Sequence, residues 1–173
     1  MKKKFLLTFL MSFCALLTIA LVFYISSFKP KSSSFCPFCD EKAINYQKYF
    51  ENENIIGLCS YKPLLKGHCL IIPKRHVERL EDITDLEMQD IFHLIKKTHF
   101  SVQKILNNKS YIVIQKNGKE VGQSVSHLHF HYIPRKENGS NFAFLLRFLI
   151  YPFKTKLHSN EMQDITSLIS QNL

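Results

Sequence analysis

The stretch Gly122-Gln-Ser-Val-Ser-His-Leu-His-Phe-His-Tyr-Ile-Pro-Arg135 decides the fold of this chain. Polar and apolar side chains alternate from His127 to Tyr132, which predicts a β-strand over residues 125–134. In a strand, His127, His129 and His131 leave one face, and the apolar side chains between them leave the other face. The strand is therefore expected to bury one face in a core and to present three imidazoles on the other.

Two chemistries use such a row of imidazoles. One is a metal site, and the other is a phosphate site in which one histidine attacks phosphorus while its neighbours stabilise the charge. The preceding loop, Asn117-Gly-Lys-Glu-Val-Gly-Gln-Ser124, favours phosphate. Its glycines allow close approach of the backbone, and its amide, hydroxyl and backbone N–H groups are the donors that phosphate oxygens need.

The segments before this loop predict the rest of the sheet. Residues 54–61 and 67–73 are apolar runs separated by a Lys-Pro turn region, which predicts a β-hairpin. Thr84-Asp-Leu-Glu87 is a capping box that opens an amphipathic helix of about 20 residues, and Asn107-Asn108 ends it. Residues 110–115 are rich in β-branched side chains and predict a further strand. The expected fold is α+β, with a four-stranded antiparallel sheet and one long helix packed on it.

A helical extension, residues 137–173, is expected after the last strand. Residues 141–150 are strongly apolar and Pro152 interrupts them, so they could form a core helix, a dimer surface or a patch against a membrane. A final amphipathic helix is predicted to begin at Ser159. Its inward side chains are expected to be Met162, Ile165, Leu168 and Ile169.

Composition and charge exclude several classes of protein. With 173 residues, 46% hydrophobic residues, 5 Gly and 6 Pro, the chain is neither disordered nor collagen-like. The formal net charge is +9, but five of the lysines precede residue 32 and no acid does, so the body is only mildly basic. This charge suits an anionic substrate such as a nucleotide as well as it suits nucleic acid, and surface lysines explain it without any partner. No nucleic acid partner is expected.

The N-terminal segment, residues 1–28, predicts a membrane anchor. Residues 5–28 are 24 residues without a charge, preceded by Met-Lys-Lys-Lys. A helix of that length spans about 36 Å, enough to cross a hydrocarbon core of about 30 Å. The alternatives are a cleaved signal peptide, whose apolar run is usually only about 7 to 15 residues long, and a buried amphiphilic segment. Residues 29–34 then predict a short polar tether.

The distribution of lysines and the chemistry of the domain favour opposite sides of the membrane. Three lysines precede the predicted span, against Lys29 and Lys31 after it, which slightly favours a single-pass protein with its domain outside. A domain outside the cytosol would meet few nucleotides and an oxidising compartment that endangers thiolates. The two arguments oppose each other, and the side stays open.

The quoted stretch resembles the signature of the histidine triad (HIT) family, His-φ-His-φ-His-φ-φ, where φ is an apolar residue. Gly67-His-Cys-Leu-Ile-Ile-Pro-Lys-Arg-His76 is similar to the second motif of the family. The resemblance defines a HIT domain over residues 35–136 and implies a HIT-like antiparallel sheet and a homodimer. It also implies a nucleotide phosphohydrolase or nucleotidyl transferase that acts on a nucleoside phosphoramidate or a dinucleoside polyphosphate.

The resemblance carries roles to individual residues. His129 resembles the nucleophile that attacks the α-phosphorus and forms a nucleotidyl-histidine, which water then cleaves. His131 resembles the histidine that touches phosphate, and Gly122 and Gln123 resemble the loop that holds it. Ser124 resembles the hydroxyl that faces the leaving-group atom.

The pair in Cys36-Pro-Phe-Cys39 has three interpretations: a thioredoxin-like redox motif, half of a zinc site, or two unliganded thiols. A Ser-rich tether precedes the pair, where a thioredoxin-like protein would have a strand. The resemblance favours zinc, because many bacterial HIT proteins open with Cys-x-x-Cys. It implies a structural Zn²⁺ held by Cys36, Cys39, His76 and His127.

Two positions depart from the family pattern. Ser60 stands where the family has an acidic residue that binds a ribose, which predicts weaker nucleoside recognition. Lys116 stands where Asn or Gln is usual and places a cation near the phosphate. The rivals to an enzyme are a catalytically silent, zinc-stabilised, membrane-tethered binding module, which Ser60 favours, and a membrane-anchored thioredoxin-like protein.

Overall fold

The computed structural model describes residues 2–26 and 35–173. Five strands of the described residues form one antiparallel sheet in the order β1-β2-β3-β5-β4. The strands are β1 (Lys48–Glu51), β2 (Ile55–Cys59), β3 (Cys69–Pro73), β4 (Ser110–Gln115) and β5 (Phe130–Arg135). The helices are α1 (Lys2–Ser26), α2 (Glu41–Ile44), α3 (Asp85–Leu106), α4 (Asn141–Leu149) and α5 (Ser159–Gln171).

The predicted hairpin is confirmed as β2 and β3, which pair from Ile55 opposite Pro73 to Cys59 opposite Cys69. The strand predicted over residues 110–115 is confirmed as β4. Strand β5 lies between β3 and β4, so both of its edges are hydrogen-bonded. The chain therefore brings the end of the hairpin next to the start of β5, where the histidine row lies.

The sheet has a fifth strand, so the prediction of four strands was wrong. Strand β1 is only four residues long, lies at the sheet edge and carries a register shift between Lys48 and Phe50. The strand predicted over residues 125–134 begins only at Phe130. Before it, the backbone N–H of Leu128 donates to the carbonyl of Val77 at 2.6 Å, in the loop after β3, and not to a neighbouring strand.

The long helix α3 has the predicted capping box. The hydroxyl of Thr84 accepts from the backbone N–H of Glu87 at 3.2 Å, and the Glu87 carboxylate accepts from the backbone N–H of Thr84 at 2.8 Å. Arg75 donates to both carboxylate oxygens of Glu87, at 3.2 and 2.9 Å. Burial alone would raise the pKa of Glu87, but Arg75 and Thr84 hold it below its ordinary value. The helix ends at Asn107, which adopts a left-handed conformation with φ 52°.

The cap supports a prediction about stability. We expect Thr84→Ala to lower the free energy of unfolding by about 1 kcal/mol, because the N–H of Glu87 loses its acceptor. Urea denaturation followed by circular dichroism measures the change. Thr155→Ala, on an exposed segment, is the matched control and should leave the unfolding midpoint unchanged. Equal midpoints for the two variants would contradict the role of the cap.

Two helices pack against the main core, one more than predicted. Leu128, Phe130 and Tyr132 are buried in that core, on the sheet face opposite the histidines. Helix α5 packs there beside α3, and Ser101 donates to the carbonyl of Ile169 at 2.9 Å. Of the side chains predicted to point inward on α5, Met162 and Ile169 are buried and Ile165 is partly buried, whereas Leu168 is 40% exposed. The C-terminal extension therefore completes the core of the domain.

A second apolar cluster lies on the histidine side of the sheet. It consists of Ile44, Ile56, Leu58, Leu70 and Ile72, with Phe38 packed against it. Helix α2 covers part of this face through Ile44. The Cys-Pro-Phe-Cys segment therefore joins the sheet through a hydrophobic contact as well as through its thiols.

Helix α4 and the N-terminal helix α1 bear on two further predictions. Helix α4 is exposed, which excludes the core helix from the three interpretations of residues 141–150. Among the described residues, no helix meets the length and apolarity that crossing a membrane requires, so the predicted transmembrane span is not supported. Residues 27 and 28 of that predicted span, and the predicted tether at 29–34, lie outside the described residues.

Candidate active site and metal centre

Two thiols and two imidazoles converge at the N-terminal edge of the histidine row. The candidate ligand atoms of Cys36, Cys39, His76 and His127 all lie within 4.8 Å of one another. The Sγ atom of Cys39 is 3.3 Å from Nδ1 of His76 and 3.5 Å from Nδ1 of His127. The Sγ atom of Cys36 is 3.4 Å from the same nitrogen of His127.

These distances fit a tetrahedral zinc ion. Zinc bonds of about 2.3 Å to sulfur and about 2.0 Å to nitrogen place the two ligand atoms roughly 3.5 Å apart. The Nε2–H of His127 donates to the carbonyl of Pro73 at 2.9 Å, so Nδ1 keeps its lone pair toward the thiols. Burial lowers the pKa of His127 to about 4, which keeps the ring neutral and able to bind metal. Both the donor set and its geometry suit a closed structural site.

Local structure explains how the four side chains meet. Cys36 and Cys39 lie in a turn, closed by a hydrogen bond from the N–H of Cys39 to the carbonyl of Cys36 at 3.2 Å. Asp40 then caps α2 by accepting from the N–H of Lys42 at 3.0 Å. The pair precedes the helix and has no strand before it among the described residues, unlike a thioredoxin-like motif. The cluster therefore ties the N-terminal segment to the loop after β3 and to the approach to β5.

His129 is held in one tautomer. Its Nδ1–H donates to the backbone carbonyl of His127 at 2.7 Å, so Nε2 carries the free lone pair. Burial lowers the pKa of His129, the bond to His127 partly offsets this, and the ammonium group of Lys116 lowers it further. A neutral imidazole with its lone pair on Nε2 is the form that acts as a nucleophile.

His131 is also held in one tautomer, through a chain that begins in the hairpin loop. The backbone N–H of Leu64 donates to Nδ1 of His68 at 3.0 Å, which places the proton of His68 on Nε2. The Nε2–H of His68 donates to Nδ1 of His131 at 3.0 Å, so the proton of His131 is on its own Nε2. Burial lowers the pKa of His68 to about 3 and that of His131 well below its ordinary value, so both rings are neutral.

The two tautomers give neighbouring rings opposite roles. The rings of His129 and His131 are 4.9 Å apart, centroid to centroid. His129 offers the lone pair of its Nε2, and His131 offers its Nε2–H as a donor. Sequence reasoning assigned no role to His68, although its place in the Gly67-His68 pair was a usable signal.

The loop before β5 holds its shape through Gln123. This buried side chain accepts from the N–H of Gly118 at 2.7 Å and donates to the carbonyl of Glu78 at 3.0 Å. Gly122 adopts φ +81°, and its carbonyl accepts from the ammonium group of Lys116 at 3.3 Å. Lys116 therefore lies beside the loop, close enough to His129 and His131 to lower the pKa of both.

The remaining predicted residues lie around this centre. Ser124 is exposed next to the loop. Ser60 is buried, and with His68 it lines one side of a cavity of about 640 Å³. The ring of Phe38 meets those of His129 and His127 edge to face, with centroids 5.4 and 5.7 Å apart, and sequence reasoning did not predict this neighbour. A lone pair, an N–H donor and an ammonium group thus meet at one place, which suits displacement at phosphorus.

Comparison with known proteins agrees with this geometry. The HIT domain model matches residues 41–138. Protein hit of Bacillus subtilis is 30% identical over 140 residues, which cover 80% of this chain and 94% of that protein. Adenosine 5'-monophosphoramidase hnt1 of Schizosaccharomyces pombe is 35% identical, with 58% of this chain and 74% of that protein covered. Bis(5'-adenosyl)-triphosphatase of Dictyostelium discoideum is 36% identical, with 51% of this chain and 60% of that protein covered.

Solved structures share the fold. A Hit-like protein of Bartonella henselae superposes with a TM-score of 0.61 at 25% identity, covering 73% of this chain and 85% of that chain. A Zn-bound histidine triad family protein of Mycobacterium smegmatis gives a TM-score of 0.62 at 22% identity, covering 81% of this chain and 96% of that chain. The family model spans more than half of the sequence and includes the whole histidine row. The chain belongs to the HIT family.

Proposed function

We propose that this chain is a nucleotide phosphohydrolase or nucleotidyl transferase that attacks the α-phosphorus of a nucleoside phosphoramidate or a dinucleoside polyphosphate. The observation that carries the proposal is the bond from Nδ1–H of His129 to the carbonyl of His127, which leaves Nε2 as a free nucleophile. Two relatives, a monophosphoramidase and a dinucleoside triphosphatase, support the substrate class.

The proposed reaction has two displacements. In the first, Nε2 of His129 forms a bond to the α-phosphorus while the bond to the leaving group breaks, and the exposed hydroxyl of Ser124 faces the leaving atom. In the second, the oxygen of water bonds to the same phosphorus while the bond from phosphorus to Nε2 breaks and the water loses a proton to solvent, which releases the nucleotide and restores His129. The N–H of His131 and the ammonium group of Lys116 stabilise the charge on the phosphoryl oxygens in both steps.

A panel of substrates tests this proposal. Full-length protein, purified in detergent, is incubated with adenosine and guanosine phosphoramidates and with dinucleoside tri- and tetraphosphates, and release of mononucleotide is measured. We expect turnover of at least one member. Binding without turnover of any member would favour the silent binding module, which the serine at position 60 supports. If the protein neither binds nor turns over any member, both the enzyme and the binding module are contradicted.

We also propose that Cys36, Cys39, His76 and His127 hold a structural zinc ion. The compact cluster of two thiols and two imidazoles supports the proposal, and one structural relative is described as Zn-bound. The ion would stabilise the fold and take no part in the displacements. The implied homodimer stays a prediction, with the mass of the protein in solution as its measurement.

Membrane attachment through the N-terminal segment is a separate proposal that rests on sequence. Residues 5–28 carry no charge and follow three lysines. We expect the full-length protein to stay in the membrane pellet after carbonate extraction at high pH. A peripheral protein of the same cells is the control and should be released. Release of the full-length chain, or a mature N-terminus after Ser27, would contradict attachment, and protease protection in spheroplasts then decides the side.

A further inference from the structure

Six large apolar side chains form one exposed stripe along α4 and the turn that follows it. They follow the helical spacing i, i+3, i+4, i+7, i+8 and i+11, so they share one side of the element. Each is between 43% and 76% exposed. The stripe consists of Phe142, Leu145, Leu146, Leu149, Ile150 and Phe153. A contiguous apolar surface of this kind marks an interaction site.

The opposite side of α4 carries half-buried side chains and contacts the end of β5 through Arg135. Phe144 and Phe148 are half-buried and stack edge to face with their centroids 5.1 Å apart. The guanidinium group of Arg135, at the end of β5, lies 4.8 Å from the centre of the Phe144 ring. The hydroxyl of Ser140 caps the helix by accepting from the N–H of Ala143 at 3.3 Å. The Arg135 contact and the partial burial of Phe144 and Phe148 place this side toward the domain, so the stripe faces outward.

The segment that carries the stripe is cationic, although two acids of α5, Glu161 and Asp164, line the same cavity as Arg147 and Lys154. No acidic residue occurs between Glu137 and Glu161, whereas Arg147, Lys154 and Lys156 lie in this interval. Within the described part of the chain, none of the three forms an ion pair. A second copy would bring together the same excess of cations, three on the segment against these two acids. Anionic lipid headgroups match this excess of positive charge, and acyl chains accept the apolar side chains.

Helix α1 is a second apolar element, and it ends beside the stripe. The ring of Tyr24, near the end of α1, lies 6.4 Å from the ring of Phe153, centroid to centroid. The described side chains of α1 before it include exposed Phe13, Leu16 and Leu17. We propose that the stripe on α4 and its following turn binds the surface of an anionic membrane, with its apolar side chains among the acyl chains and its cations at the headgroups.

A single tryptophan tests this proposal, because the chain has none of its own. Full-length Leu149→Trp is mixed with vesicles of phosphatidylcholine and phosphatidylglycerol, some carrying bromine on the acyl chains. Leu86→Trp, at an exposed position in the first turn of α3, is the matched control. We expect a blue shift and at least twofold bromine quenching for Leu149→Trp, and neither for Leu86→Trp.

Charge reversal adds a second readout that does not depend on attachment through α1. We expect Arg147→Glu with Lys154→Glu to halve the quenching of Leu149→Trp, because the headgroup contacts become repulsive. Circular dichroism confirms that each variant is folded. Three results would overturn the proposal: no quenching at position 149 in vesicle-bound protein, equal quenching at 149 and 86, or a blue shift that grows with protein concentration without lipid. The last of these identifies the stripe as an interface between copies.

Discussion

We expect His129→Ala to lower kcat by at least about a thousandfold while substrate binding changes little, because the variant loses the nucleophile but keeps the groups that hold phosphate. The donors of His131 and Lys116 are fixed by their own hydrogen bonds to His68 and Gly122, so they stay in place in the variant. Steady-state kinetics on the best substrate of the panel measures the loss. His93→Ala, which removes an exposed imidazole, is the matched control and should keep full activity.

The covalent intermediate gives a readout that a structural role of His129 would not produce. Rapid quenching of a slowly hydrolysed phosphoramidate should yield wild-type protein heavier by one nucleotidyl group, and His129→Ala should show no such species. Turnover within tenfold of wild type, or an adduct of equal size in the variant, would assign the nucleophile to another residue. Loss of both binding and turnover in a folded variant would show that His129 holds the substrate instead.

Local signals predicted the parts of the fold that depend on neighbouring residues. The hairpin follows from two apolar runs around a turn, and the start of α3 follows from Thr84 and Glu87, which bond to each other. Strand β1 gave no such signal, because four residues at a sheet edge with a register shift show no clear alternation. Its pairing depends on the long-range contact with β2, and the hydrophobic periodicity of the sequence does not reveal such contacts.

For the histidine row too, the sequence predicted the local pattern but not the long-range contacts. Alternation over residues 125–134 reports which side chains share a face, but it does not report which backbone groups pair. The chain reaches β5 only at Phe130, because the backbone N–H of Leu128 is bonded to the loop at Val77. The tautomer of His131 depends on His68 and Leu64, more than sixty residues earlier in the chain. Only the folded structure brings these groups together.

His127 links the candidate metal centre to the candidate nucleophile, and this link makes zinc removal the second large effect that we expect. Its Nδ1 faces the thiols, its Nε2–H is bonded to Pro73, and its carbonyl holds His129. Phe38, between the two cysteines, also contacts the rings of His127 and His129. Loss of the ion should therefore loosen the turn, the loop after β3 and the support of the nucleophile together.

We expect Cys36→Ser and His76→Ala each to lower zinc content well below one ion per chain and to destabilise the fold by several kcal/mol, since the binding free energy of a structural zinc contributes to folding. Elemental analysis of reduced, freshly purified protein measures the metal, and thermal unfolding measures the stability. Cys14→Ser, at an exposed thiol far from the cluster in sequence, is the matched control and should change neither. Metal-free wild-type protein with an unchanged melting temperature, or a disulfide between Cys36 and Cys39, would contradict the site. Restored stability on adding zinc to chelator-treated wild type, but not to His76→Ala, would assign the effect to the ion and not to the packing of His76.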